Sequence, residues 1–260
     1  MFRYFASLIP SLLCLSFVQS VFAQQPDTVV VRVGSPHLDG RLLKPYRQRF
    51  LGFWQPCVYS GDSTERFVEE TEQLEFVRSA ADTLLLQTTT SVYADGRRVV
   101  DSTIYDHRTL SARQARYRLR SFPRGTGFDI QGAHVMWFDS VNTPTVRLDT
   151  TFAESGYLEG SAELLIQSVP LLYRGGGVVI KWPVVGVGGD APDALGLYQA
   201  WQEVKVSPGA RPPRGVPAGS IAVEVGPSVF WMDPRSRRIV AKQFQPFEGT
   251  CESIFLLQGP

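Results

Sequence analysis

The sequence predicts a mainly β chain with one short helix. Short runs rich in β-branched and aromatic residues recur along it, and turn residues separate them, since the 260 residues include 23 Gly and 18 Pro. The composition, 43% hydrophobic and 20% charged, is that of an ordinary globular chain. We find no internal repeat and no shift in composition that divides the chain. We therefore expect residues 24–260 to form a single β-rich domain.

The strands are predicted from runs in which apolar or β-branched residues alternate with polar ones. Thr28 to Val33 is the first run, within an N-terminal segment, residues 24–62, that is otherwise irregular. Residues 65–78 fit a helix or a strand, and the alternation of Glu70, Glu72 and Leu74 favours a strand. The later runs cover residues 82–93, 98–106, 114–122, 128–131, 134–139, 145–152, 178–182, 197–206, 220–225, 229–232 and 238–244. The sheet is thus expected within residues 63–247, with residues 248–260 as a C-terminal tail.

A single segment departs from this β pattern. Ser161 is a candidate N-cap, Glu163 lies in the first turn, and Pro170 ends the segment. We place a helix at residues 160–169, whose apolar face carries Leu164, Leu165 and Val169.

The first 23 residues have the pattern of an export signal. Arg3 precedes an apolar stretch, residues 8–18, and Val21-Phe22-Ala23 fits the site that a signal peptidase accepts. The stretch is shorter than the ~20 apolar residues of a spanning helix. Leu13 before Cys14 argues against a lipoprotein signal. We expect a mature chain that starts at Gln24, has no transmembrane span, and is periplasmic or secreted.

Two cysteines, Cys57 and Cys251, remain after removal of that signal. Two thiols in an oxidising compartment usually pair, so we predict a disulfide between them. The alternative is two separate buried thiols that pack as small hydrophobic side chains. A metal site is not expected, because the chain has no CxxC and no His lies near either cysteine.

The sequence offers little sign of catalysis. It contains no GxSxG, HExxH or GxxxxGK[ST] motif. Residues 186–191 satisfy GxGxxA, but Pro192 stands where a dinucleotide site needs a helix. The three histidines share no spacing typical of a metal site or a triad, and a formal net charge of +1 is too small to hold a nucleic-acid backbone. We expect no enzyme, no cofactor and no nucleic-acid partner.

Several arginines, and no acidic residue, lie between residues 107 and 128. In a strand, Arg116, Arg118 and Arg120 share one face. One interpretation is a solvated face paired with the carboxylates of residues 65–75. The other is a site for an anionic partner such as a lipid headgroup, because guanidinium groups match phosphate geometry.

Three stretches together resemble the DUF3108-type domains of exported bacterial proteins. They are DGRRVVDSTIYDHRTLSARQARYR, then LLIQSVPLLYRGG, then VPAGSIAVEVGPSVFWMDPRSRRIVAKQF. The turn with Asp106, Thr109 and Leu110, the Pro170-Leu171 step, the Pro217-Ala218-Gly219 turn and Trp231-Met232-Asp233-Pro234 stand in the family's order, over residues 80–247. Such domains are similar to the LolA/LolB-like lipoprotein carriers. The resemblance implies a strongly curved antiparallel sheet, a half-open barrel, with a short helix packed against its concave face.

Two classes of function follow from these expectations. The first is a non-enzymatic cell-envelope protein that binds a lipid or acyl chain in a half-barrel cleft. Its cleft would be lined by Leu84, Leu86, Tyr117, Trp137, Leu164, Leu165 and Trp182, with Arg116, Arg118 and Arg120 at an anionic headgroup. The second is a structural or interaction module that assembles with an envelope protein and fills its barrel with its own side chains.

Overall fold

The computed structural model describes residues 27–54, 66–79, 82–117, 125–140, 145–173, 178–188, 195–207, 209–245 and 252–258. These ranges contain sixteen strands and the helix α1, Ala162–Ser168. The strands are β1 Thr28–Val30, β2 Tyr46–Trp54, β3 Arg66–Arg78, β4 Thr83–Tyr93, β5 Arg98–Asp106, β6 Ala112–Tyr117, β7 Thr126–Gln131, β8 His134–Phe138, β9 Val146–Thr151, β10 Tyr157–Leu158, β11 Val179–Gly188, β12 Gly196–Ser207, β13 Ile221–Val225, β14 Ser228–Met232, β15 Ile239–Phe244 and β16 Ser253–Leu257.

All of these strands belong to one sheet. Neighbours follow the order β1, β11, β12, β13, β14, β15, β16, β2, β3, β4, β5, β6, β7, β8, β9, and β10 also pairs with β11. The pairs are antiparallel except for those of β1 and β10, which run parallel to β11. β9, at one end of this order, approaches β12 near the other end. The predicted fold, a mainly β chain whose curved sheet forms a half-open barrel, is confirmed, with two short parallel pairs as its exception.

Two parts of the predicted layout are wrong. The N-terminal segment 24–62 is not simply irregular, because β2 lies within it and pairs with β3. Its buried Tyr46, Gln48 and Phe50 alternate with exposed Arg47 and Arg49, and the polar Gln48 hid that alternation in the sequence. The predicted tail, residues 248–260, contributes β16, which lies between β15 and β2. The last strand therefore pairs with the second strand in the middle of the sheet, whereas β1 lies at one edge of it.

The helix packs against the concave face of the sheet, as predicted, and is buried on nearly every side. Leu164, Leu165 and Ile166 are fully buried. A turn of 3-10 helix, Glu159–Ser161, precedes α1, so the regular helix is shorter than the predicted residues 160–169. Ser161 makes no capping bond, and its Oγ instead donates to the Tyr105 hydroxyl at 3.3 Å. No helix in the described ranges is long and apolar enough to cross a membrane.

Candidate functional site

Four of the residues predicted to line a ligand cleft are packed in the protein's own core. Trp137, Leu164, Leu165 and Trp182 belong to one continuous buried cluster and are at most 4% exposed. Trp182 is fixed further, because its indole Nε1 donates to Gln202 Oε1 at 3.0 Å. An acyl chain can reach these side chains only if the core opens.

The other predicted cleft residues lie elsewhere. The prediction that Leu84 and Leu86 line the cleft is wrong. Of the three leucines in β4, Leu85 enters the core, and its two neighbours lie on the opposite face of the strand. Three consecutive leucines gave no sign of which one points inward. Tyr117 packs against the edge of the core, and its hydroxyl lies 3.2 Å from Thr103 Oγ1.

The predicted arginine row is only partly described. The Arg116 guanidinium donates to the carbonyls of Ala115 and Phe128 and pairs with Asp129 at 3.0 Å. These bonds occupy the group, so Arg116 is a cross-strand structural contact rather than a free headgroup site. The carboxylate that pairs with Arg116 is Asp129 of β7, not one of the predicted acidic residues 65–75. Arg118 and Arg120 lie outside the described residues.

The predicted disulfide also lies outside the described residues, because neither Cys57 nor Cys251 is among them. Their described neighbours are informative. Trp54, three residues before Cys57, pairs with Ser253, two residues after Cys251. The two chain segments that lead to the cysteines therefore lie side by side, and the disulfide stays a prediction.

A buried ionic cluster, made of Lys242, Glu70, Glu72 and Glu163, lies between the helix and the sheet. The Lys242 ammonium contacts Glu70 Oε1 at 2.6 Å, Glu163 Oε1 at 2.9 Å and Glu72 Oε1. Lys242 is 3% exposed and Glu72 is 1% exposed. Charges this deeply buried are costly unless they are paired, and here three carboxylates share one ammonium. The ionic cluster is therefore negative in excess.

Strand alternation and the helix bring these four side chains together. Glu70 and Glu72 lie on the same inward face of β3 as Val68 and Leu74. Lys242 comes from β15, and Glu163 from the first turn of α1. The ionic cluster thus links the helix to two distant strands.

Burial and the neighbouring Glu163 carboxylate raise the pKa of Glu72 well above its usual range. Burial alone would lower the pKa of Lys242, but the carboxylates of Glu163, Glu70 and Glu72 outweigh it and hold that pKa well above its ordinary value. Lys242 is therefore an ammonium, whereas Glu72 keeps its proton to unusually high pH.

The ionic cluster forms one wall of an acidic cleft of about 140 Å³. The cleft's lining is polar and consists of Glu70, Glu72, Gln87, Thr89, Asp101, Ser102, Thr103, Tyr105, Tyr117, Gly160, Glu163 and Lys242. Glu72 Oε2 and Glu163 Oε2 are both buried at the cleft. Besides burial and the charge of Glu163, a side-chain hydrogen bond between these two carboxyl groups raises the pKa of Glu72, so the protonated Glu72 has Glu163 as its acceptor. Burial raises the pKa of Tyr105 to about 12, and its hydroxyl donates to Gln87 Oε1 at 3.2 Å.

Comparison with known proteins gives no family for this chain. No family model matches it, and no curated protein matches it. Among solved structures, it is similar to a β-barrel-like protein with a domain of unknown function, DUF1849, from Brucella abortus. That similarity covers 83% of this chain and 96% of the other, with 12% identity and a TM-score of 0.47. The description of that protein names no ligand or activity.

Sequence reasoning missed the ionic cluster although a signal was present. Glu70 and Glu72 lie at every second position between Val68 and Leu74, so in a strand their two carboxylates share the face that also carries these apolar residues. Lys242, one of four lysines in the chain, follows the apolar run Ile239-Val240-Ala241. Acidic and basic residues that share apolar faces of separate strands indicate a buried ion pair, but nothing in the sequence says which strands meet.

The acidic cleft is suited to binding a small cation. Its carboxylate oxygens accept hydrogen bonds, and the hydroxyls of its tyrosines and threonines can donate or accept. A cationic ligand would offset the excess negative charge, whereas an anion would add to it. Among the described residues, no group of His, Cys, Asp and Glu side chains has the geometry of a metal site.

Proposed function

We propose that the chain is a non-enzymatic binding protein of the cell envelope, exported by residues 1–23, whose ligand is a small organic cation held in the acidic cleft. The observation that carries the proposal is the excess of carboxyl groups in the ionic cluster, where Glu70, Glu72 and Glu163 share the single Lys242 ammonium at the wall of the acidic cleft. Buried negative charge that lacks enough counterions is costly. The N–H groups of a primary ammonium or a guanidinium would remove this cost.

The proposal replaces the lipid or acyl-chain ligand predicted from the sequence with a small organic cation. A lipid or acyl chain needs an apolar cleft, and Trp137, Leu164, Leu165 and Trp182 are packed together instead. The acidic cleft is polar and small, which favours an ammonium or guanidinium ligand of a few heavy atoms over a long chain.

Isothermal titration of the mature protein at pH 8 with propylamine, putrescine and agmatine tests the proposal. We expect saturable binding, no binding of the neutral propanol, and about tenfold or greater weakening in Glu163→Gln, which removes one charged acceptor. Glu203→Gln is the matched control, because Glu203 is exposed and pairs with Lys181 at 3.3 Å. Equal affinity in Glu163→Gln, or no saturable binding of any of the three amines, would overturn the proposal.

The second candidate is a structural or interaction module that assembles with an envelope protein. It is favoured by the same filled core, because a barrel packed with its own side chains needs no ligand to be stable. Displacement of a fluorescent fatty acid, compared between the wild type and Leu165→Asp, completes the test. Saturable displacement would support a lipid ligand after all. If neither amines nor fatty acids bind, the interaction module is the better-supported function.

A further inference from the structure

A tight turn between β14 and β15 presents three arginines on the surface. The Asp233 carboxylate accepts hydrogen bonds from the Arg235 amide at 3.0 Å and from Ser236 Oγ at 2.7 Å. The Arg237 amide donates to the Asp233 carbonyl at 2.8 Å, and Arg237 has a left-handed backbone with φ 58°. The turn is thereby held in one conformation, and it carries Arg235, Arg237 and Arg238 within four residues.

The arginines of this turn face two adjoining clefts, which together form the basic groove. One cleft, of about 430 Å³, is lined by Leu42, Leu43, Lys44, Tyr46, Gln167, Arg235, Ser236, Arg237 and Arg238. The other, of about 740 Å³, shares Ser236 and Arg238 with the first and adds Arg47, Arg49 and residues of β3, β15 and the C-terminal strand. The groove therefore borders the N-terminal segment before β2 as well as the turn.

Positive charge dominates the basic groove. Its cations are Lys44, Arg47, Arg49, Arg235, Arg237 and Arg238, and its carboxylates are Glu69 and Asp233. Glu69 is already paired with Arg49 and Arg66. Asp233 is occupied within the turn. Within the described ranges, five of these cations form no ion pair: Lys44, Arg47, Arg235, Arg237 and Arg238.

Aromatic rings beneath two of the arginines hold them in place. The Arg237 guanidinium lies 5.3 Å from the centre of the Tyr173 ring, and that of Arg238 lies 5.5 Å from the centre of the Tyr46 ring. Such cation–π contacts restrict the guanidinium groups while their N–H groups stay available to a ligand. Preordered guanidinium groups lose little freedom when they bind an anion.

We propose that the basic groove binds a ligand that carries two or more phosphate groups or a phosphate-bearing surface. Guanidinium forks match the geometry of phosphate oxygens, and the spread of five unpaired cations over two joined clefts fits several negative charges better than one. This site is separate from the acidic cleft and requires the opposite charge in its ligand.

Titration of the mature protein with tripolyphosphate, and cosedimentation with vesicles of phosphatidylglycerol or of phosphatidylcholine, test the proposal. We expect saturable binding of tripolyphosphate, of phosphatidylglycerol vesicles, or of both, that weakens as salt rises. Binding of tripolyphosphate alone assigns a soluble ligand, and binding of the vesicles alone assigns a membrane headgroup. Phosphatidylcholine vesicles, which carry no net charge, should not bind.

The variant for this test combines Arg235→Gln, Arg237→Gly and Arg238→Gln, in which Gly suits the left-handed backbone. We expect it to weaken anion binding about tenfold or more and to leave amine binding in the acidic cleft unchanged. The matched control removes three exposed, unpaired arginines elsewhere, Arg97, Arg98 and Arg108. Equal loss in the control, or no loss in the variant with its circular dichroism unchanged, would overturn the proposal.

Discussion

Replacing Lys242 with Met removes the ammonium that contacts Glu70, Glu72 and Glu163 while keeping much of the side chain's apolar volume. Removal of one partner from a buried ion pair typically costs ~3 to 5 kcal/mol, because the opposite charge stays buried without compensation. Here the carboxyl groups of Glu70, Glu72 and Glu163 lose their shared ammonium partner, and Glu72 is 1% exposed. For a chain of this size each kcal/mol lowers Tm by about 2–4 °C. We therefore expect Tm at pH 8 to fall by roughly 6–20 °C.

Thermal unfolding followed by circular dichroism measures this loss, and its dependence on pH separates charge from packing. A carboxyl whose folded-state pKa is raised stabilises the fold below its unfolded pKa of about 4.3 and loses that contribution as pH rises. The gap between Lys242→Met and the wild type should therefore widen from pH 4.5 to pH 8. Adding Glu72→Gln to the variant should recover part of the loss at pH 8, because the amide does not titrate and so does not carry the cost of the raised Glu72 pKa.

An exposed lysine provides the control for that experiment. Lys181 pairs with Glu203 at 3.3 Å, and its side chain is 42% exposed. Lys181→Met should cost under about 1 kcal/mol, as surface pairs usually do. A Lys242→Met protein that unfolds at the wild-type temperature, or that shows the same loss at pH 4.5 and pH 8, would refute the account of the ionic cluster.

Three further outcomes are expected. Glu72→Gln should flatten the fall in wild-type stability with rising pH, since burial raises the pKa of Glu72 and the amide does not titrate; an unchanged pH profile in chemical denaturation contradicts this. Gly40→Ala should destabilise by about 1–3 kcal/mol, because its Cβ would lie 2.0 Å from the His107 carbonyl oxygen; a denaturation midpoint equal to that of the wild type argues against the packing described. Thiol labelling of the denatured, unreduced mature protein should find Cys57 and Cys251 blocked, and two labelled thiols per chain would end the disulfide prediction.

The fold could be predicted largely because strand and turn chemistry is local. The Ala94-Asp95-Gly96 turn, with Gly96 at φ 80°, joins β4 and β5, and an Asp-Gly pair between two strand-like runs is a local hairpin signal. The pairing of β16 with β2 could not be predicted, because it joins residues that lie about 200 positions apart. Nothing local specifies which distant edge a strand will meet.

The candidate site was harder to predict than the fold because it depends on that long-range pairing. Glu72, Glu163 and Lys242 come from β3, α1 and β15, and their charges come together only because the sheet curves around the helix. The sequence indicates that the run of leucines at residues 84–86 lies in a strand, but not which of the three side chains points into the core. Leu85 rather than Leu84 or Leu86 enters the core, because side chains alternate along a strand and the run of leucines does not fix its phase.

A crystal structure of the mature protein grown with putrescine or agmatine tests the central proposal most directly. The account predicts electron density for the ligand in the acidic cleft, with an ammonium or guanidinium nitrogen within hydrogen-bond distance of a carboxylate oxygen of Glu70 or Glu163. An empty acidic cleft at saturating ligand, or a ligand bound only elsewhere on the protein, would contradict it.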